Sequence, residues 1–185
     1  SIMRLIPESN GSIDKGRILF DGEDLLTLSD HQMRKVRGNK ISMIFQEPMT
    51  ALNPVQTIWQ QIAEPLQLHQ GMSKSATQLR ALELLERVQL SRAKERLMAY
   101  PHQLSGGQRQ RVMIAMALAC QPDILIADEP TTALDVTVQK EVLNLISQLV
   151  SEDGMGLLLI SHDLGLMRDH VDRVMVMYGG SVVES

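Results

Sequence analysis

Two stretches of the chain, DILIA (123–127) and GLLLIS (156–161), run apolar with almost no interruption. A strand with one wet face alternates apolar and polar residues; a continuous apolar run belongs to a strand covered on both faces, as in parallel sheets. Between the two runs, Val138, Val142, Leu145, Ile146 and Leu149 recur at helical spacing, and Asp135 stands where a helix N-cap would. Strand, amphipathic helix, strand is the crossover that a parallel pair requires. KISMIF (40–45) reads as a third strand of the same kind. The chain is therefore expected to be α/β, and 185 residues suffice for one domain with a substantial core.

Around this framework the pattern shifts twice. RILF (17–20) is a short strand closed by the turn-like pair Asp21–Gly22, and Ser29 with Gln32 forms a capping box for a helix carrying Met33 and Val36. From residue 47 the chain becomes rich in Gln, Leu and Met and mostly helical, with Leu79, Leu82, Leu85 and Val88 read as one apolar stripe. RVMVMY and SVVES (173–178 and 181–185) read as a closing hairpin around Gly179–Gly180. The expected layout is a sheet core from residues 1–46 and 112–185, with a helical insertion over 47–111.

Bulk properties narrow the functional classes. An apolar fraction of 44% is that of a globular chain, and a net charge of −4 disfavours a grip on nucleic acid backbone. Cys120 is the single cysteine, which rules out an internal disulfide or a cysteine metal cluster. It follows a helix and reads as a buried small residue. No apolar run approaches the roughly 18 residues of a membrane span. The basic cluster Arg34, Lys35, Arg37 and Lys40 reads as a solvated face.

Each of the three strands ends on a chemically useful side chain: KISMIF at Gln46, DILIA at Asp128–Glu129, GLLLIS at His162. Taken singly, these fit a loop amide, a helix-start acid pair and a structural histidine. Taken together they point to one rim, because open parallel sheets gather ligands at the carboxyl ends of their strands. The chemistry that fits is hydrolysis of a nucleoside triphosphate. Asp128 is placed to hold Mg²⁺ through oxygen, and Glu129 to orient or deprotonate the attacking water. Gln46 can complete the metal shell, and His162 can donate to the terminal phosphate.

A second feature is HQLSGGQRQR (102–111), which leads into the apolar helix VMIAMALA (112–119). Two glycines at a helix start cost about 1 kcal/mol each relative to alanine. They make sense where backbone N–H groups must approach an anion closely, and a helix N-terminus suits a phosphate.

These motifs resemble those of ABC transporter nucleotide-binding subunits. Leu104–Gln108 matches the signature motif, Ile124–Glu129 the Walker B strand, Ala133–Asp135 the D-loop, His162 the switch histidine and Gln46 the Q-loop glutamine. The resemblance implies a P-loop NTPase-like (RecA-like) parallel sheet core with a helical subdomain. It also implies ATP and Mg²⁺ as cofactors and ATP hydrolysis as the activity. Within the family, IFQEPMTALNP (44–54) and YPHQLSGGQRQRVMIAMALA (100–119) are similar to the ATPase subunits of peptide, nickel and glutathione importers. That similarity makes Glu47, Pro48, Asn53 and Trp59 candidates for the region that meets a transmembrane permease subunit. The further implications are a pair of ATPase domains at the cytoplasmic face of the inner membrane, no nucleic acid partner, and a peptide or related solute. In such a pair Ser105, Gly106, Gly107 and Gln108 would hold the phosphate of an ATP seated on the other subunit, with Asp135 in the adjoining loop.

The family's phosphate cradle, G-x-x-x-x-G-K-[ST], is absent from these 185 residues, as is the aromatic residue that stacks on adenine. The expectation is a fragment cut just after its phosphate loop, binding ATP poorly and inactive alone. A non-transport ABC ATPase, acting in DNA repair or on ribosomes, is the alternative. Repair types carry long coiled-coil arms, and no sustained heptads occur here.

Overall fold

The computed structural model describes residues 1–6, 11, 13, 15–47, 51–132 and 134–184. Its centre is a parallel sheet of β3 (Ile41–Ile44), β4 (Ile124–Asp128) and β5 (Gly156–Ile160), in the order β3-β4-β5. The register sets Ile44 beside Ala127 and Asp128 beside Ile160. Side chains alternate across the pleat, so one set of strand residues faces each way. Ile44, Leu125, Ala127 and Leu159 join the larger core, and Ile41 and Ile126 join a smaller one with Met3, Leu25, Leu28 and Met33. The sheet is thus covered on both faces.

The smaller core rests on the N-terminal elements. β1 (Leu19–Phe20) and β2 (Glu23–Asp24) pair antiparallel. Asp21 and Gly22 turn between them, both with positive φ (49° and 82°). α1 (Asp30–Val36) starts at Ser29 with the expected capping box and buries Met33. The basic cluster is mostly solvated as expected, with Arg34, Lys35 and Lys40 exposed and Arg37 half-buried. Arg37 donates to the carbonyls of Met3 and Arg4, tying down the N-terminal residues, and Lys40 pairs with Asp123.

The larger core is built by helices. α2 (Ile58–Gln70), α3 (Lys74–Arg87), the short α4 (Ala93–Arg96), α5 (Gly106–Ala117) and α6 (Val136–Asp153) share it with one face of the sheet. Each fully buried Leu or Ile here contributes roughly 1.5–3 kcal/mol. In α3 the stripe differs from the expected one. Thr77, Ala81, Leu84, Leu85 and Val88 are buried, whereas Leu79 is 67% exposed. A strict three-residue step drifts around a helix of 3.6 residues per turn, so Leu79 falls off the core face while Leu82 packs partly against the core and Leu85 and Val88 are buried. In α6 the expected face holds: Val142, Leu145, Ile146 and Leu149 are buried and Val138 packs against them, with Asp135 capping the helix.

Two arginines fasten the helical segment to α6. Arg87 at the end of α3 makes a bidentate pair with Asp153 at 2.9 and 3.1 Å and reaches Glu152. Arg111 on α5 donates to the Val88 carbonyl at 2.8 Å and lies 3.4 Å from Glu141. Cys120 is buried, its thiol pushed up to about 11 by that burial.

β5 departs from the reading of a strand buried on both faces. Among the described residues it pairs only with β4, and Ile160 is 42% exposed while Leu159 is buried. After the short α7 (Leu164–Met167), the closing hairpin appears as β6 (Val176–Tyr178) and β7 (Ser181–Glu184) around Gly179–Gly180.

Candidate functional site

The parallel register delivers the three strand ends to one edge of the sheet. Gln46 follows β3, Glu129 follows β4 and His162 follows β5, and the structure brings all three together. Gln46 Nε2 donates to Glu129 Oε2 at 2.9 Å, and His162 Nδ1 lies 3.3 Å from Glu129 Oε1. The carboxylate is the hub.

Glu129 adopts a left-handed backbone, φ 44°, which a residue with a Cβ rarely takes. Its amide still donates to the Ile160 carbonyl at 2.9 Å, so it ends the β4–β5 ladder and turns away at once. Strain of this kind costs on the order of 1–3 kcal/mol and persists only where the surroundings hold it. A residue that the sequence reading passed over takes part in the holding. Thr132 Oγ1 donates to Glu129 Oε2 at 2.9 Å. Its signal in the sequence is Glu-Pro-Thr-Thr (129–132), where Pro at the second position of a turn brings the fourth residue back to the first. Hydrogen bonds from Thr132 and then His162 hold the Glu129 carboxyl below the usual carboxylate range. It is therefore ionised at neutral pH.

Asp128 is the last residue of β4 and half-buried. Among the described residues no group of three or more His, Cys, Asp or Glu side chains could enclose a metal. Mg²⁺ needs no such cage, since it uses one or two protein oxygens and completes its shell with phosphate and water. Asp128 and Gln46, whose Nε2 is engaged by Glu129, each carry a side-chain oxygen of the type such a shell uses.

The Ser-Gly-Gly-Gln stretch is built by local contacts. Ser105 caps α5, accepting from Gln108 N at 3.3 Å, while Gln108 Oε1 accepts from Ser105 N at 3.1 Å. Neither glycine has a positive φ. A Cβ on Gly107 would sit 3.2 Å from Val138 Cγ1, tighter than ordinary contact; one on Gly106 would meet Leu134 at 3.7 Å. Gly107 thus has a packing reason besides any approach of an anion. Asp135 uses its carboxylate to cap α6, accepting from Val138 N at 3.0 Å. Ala133 and Pro48, both placed in motifs by the sequence, lie outside the described residues.

In the segment after Gln46, buried Gln61 clamps the backbone of Asn53: its Oε1 accepts from Asn53 N and its Nε2 donates to Asn53 O. The Glu47 carbonyl accepts from Ala51 N. Trp59 is half-buried with the Lys74 ammonium 5.3 Å from its ring centroid.

A parallel sheet with an acid pair, an amide and an imidazole on one rim, in a chain that also carries a glycine-bearing helix start, defines a class. The family model described as "ABC transporter" matches residues 1–132, and the chain belongs to that family. Among its relatives is the peptidoglycan transport ATP-binding protein YejF of Agrobacterium fabrum, 57% identical over all of this chain and 34% of its own length. The oligopeptide transport ATP-binding protein AppD of Bacillus subtilis is 54% identical over all of this chain and 56% of its own length. The chain spans about a third to just over half of these curated relatives. Among solved structures it resembles the ATP-binding cassette MJ0796, a dimer in a post-hydrolysis state bound to ADP and Pi. The TM-score is 0.72 at 35% identity, covering 83% of this chain and 65% of that one. It also resembles cbiO1 from Clostridium perfringens, part of the transporter complex cbiONQ. There the TM-score is 0.76 at 28% identity, covering 92% and 65%. The fold is P-loop NTPase-like.

Proposed function

We propose that this chain is the ATP-hydrolysing part of an ABC importer for peptides or a related small solute. The observation that carries the reading is the convergence of Gln46 and His162 on the Glu129 carboxylate. Glu129 accepts a proton from the water that attacks the terminal phosphate of ATP, and it is ionised for that role. His162, 78% exposed, donates to the same phosphate as charge develops there. Asp128 and Gln46 would hold Mg²⁺, which would supply neutralisation of the phosphate charge.

The start of α5 (Ser105, Gly106, Gly107, Gln108), where the Ser105 and Gln108 amides are engaged in the cap, faces the phosphate of an ATP held by a second ABC ATPase domain, with Asp135 in the adjoining loop. Binding of nucleotide between two such domains favours the closed pair, and hydrolysis releases it. The dimeric cassette named above supports the pairing, and the relatives' names support the peptide solute. The segment after Gln46, including Glu47, Asn53 and Trp59, meets a permease subunit, with residues 47–111 acting as the helical lobe. Among the described residues no helix is long and apolar enough to cross a membrane. Contact with the permease would hold the protein peripherally on the cytoplasmic face.

The test is phosphate release by the full-length protein with its membrane partner. Glu129→Gln is expected to lower turnover by roughly 10²–10⁴-fold while ATP binding persists, the span for loss of a general base. Wild-type turnover in that variant would end the assignment.

A further inference from the structure

We propose that Thr132 is a positioning residue that orients the Glu129 carboxylate for its reaction. The inference rests on the reading of Glu129 as the base and assigns the group that aims it. Most side-chain hydroxyls bond to backbone or water. The Thr132 hydroxyl instead donates to a carboxylate oxygen, Glu129 Oε2, at 2.9 Å. Gln46 Nε2 donates to that same oxygen, so two donors from different elements fix one oxygen and leave Oε1 toward His162.

The hydroxyl has little freedom to be elsewhere. Thr132 N donates to the Glu129 carbonyl at 3.1 Å, closing a turn whose second residue is the buried Pro130. Leu134 N then donates to the Thr131 carbonyl at 3.2 Å. From α6, Gln139 Nε2 donates to the carbonyls of Thr131 and Leu134, at 3.3 and 3.1 Å, pinning the turn from the far side. The backbone thus presents Thr132 to Glu129 as part of the folded scaffold. A reactive group held by a rigid support loses less orientational freedom in reaching its productive geometry. The support matters here because Glu129 occupies a strained backbone conformation.

The experiment compares Thr132→Val, Thr132→Ser and Glu129→Gln in the full-length protein with its membrane partner, by steady-state ATP hydrolysis. Thr132→Val keeps the shape and removes the donor. Its kcat is expected to fall about tenfold with KM for ATP unchanged, the effect of one hydrogen bond to a charged group. Thr132→Ser restores the donor and should return kcat to near wild type. A structural role would instead appear as a lowered unfolding midpoint in both variants. Should valine disturb the fold, Thr132→Ala read by the same split of kcat and KM decides. With ¹³C-labelled glutamate, the Glu129 carboxyl resonance is identified by its loss in Glu129→Gln. It should move in Thr132→Val and stay in Thr132→Ser. Wild-type or raised kcat in Thr132→Val, or an unmoved resonance, overturns the inference while Glu129→Gln remains inactive. Turnover retained by Glu129→Gln removes the base itself, and the positioning role with it.

Discussion

The start of α5 and the end of β4 carry the two most distinctive motifs of the chain, and they are built in opposite ways. At α5, Ser105 and Gln108 satisfy each other across three residues, Ser105 in unstrained extended backbone and Gln108 in the first turn of the helix. At β4, Glu129 is strained, and one of its partners, Gln46, lies 83 residues away in sequence. The first arrangement is within reach of a short segment, because a capping box needs only one turn of helix. The second exists only after three strands have aligned in register. Damage to packing should therefore disperse the acid cluster before it dissolves the helix start.

Three substitutions break or sharpen this contrast. The largest effect is expected of Ser105→Arg in the full-length protein. A bulky cation at the helix start should lower turnover on the order of a hundredfold or more, as loss of transition-state donors does. ATP binding by a single subunit should stay within a few-fold, as equilibrium dialysis can measure. Equal loss of both would mean that the helix start serves its own subunit.

Gly107→Leu comes next. With Val138 Cγ1 already 3.2 Å from the position of a Cβ, overpacking should cost about 1–3 kcal/mol in urea unfolding. Val138→Ala should recover part of that cost. No recovery would show that Gly107 serves only the anion and not the α5–α6 contact. Ser105→Ala should have the smallest effect, about 1 kcal/mol of unfolding free energy from the lost cap. A loss several times larger would show the helix start to be tied into the distant site after all.

The sequence was most legible where the determining contact is short. Asp21–Gly22, the box at Ser29 and the cap at Asp135 could be read directly, since each joins residues within one turn, and the box that the structure shows at Ser105 is equally local. The apolar runs placed β4 and β5 along the chain because a short continuous apolar run marks a strand by its own residues. The rim of Gln46, Glu129 and His162 could be anticipated from where those strands end. Leu79 could not be placed, because a three-residue spacing satisfies a helix locally and drifts off the core over two turns. Ile160 depends on which strands flank β5, and no residue of β5 records that.

The amino-acid order alone determined the α/β alternation, the helix caps and the three polar strand ends, because periodicity and capping act over three or four residues. Tertiary structure alone decided that Gly107 must clear Val138, that Arg87 reaches Asp153, and that Thr132 and Gln46 share one oxygen of Glu129. Those contacts depend on strand register and helix approach, which are set by the whole core.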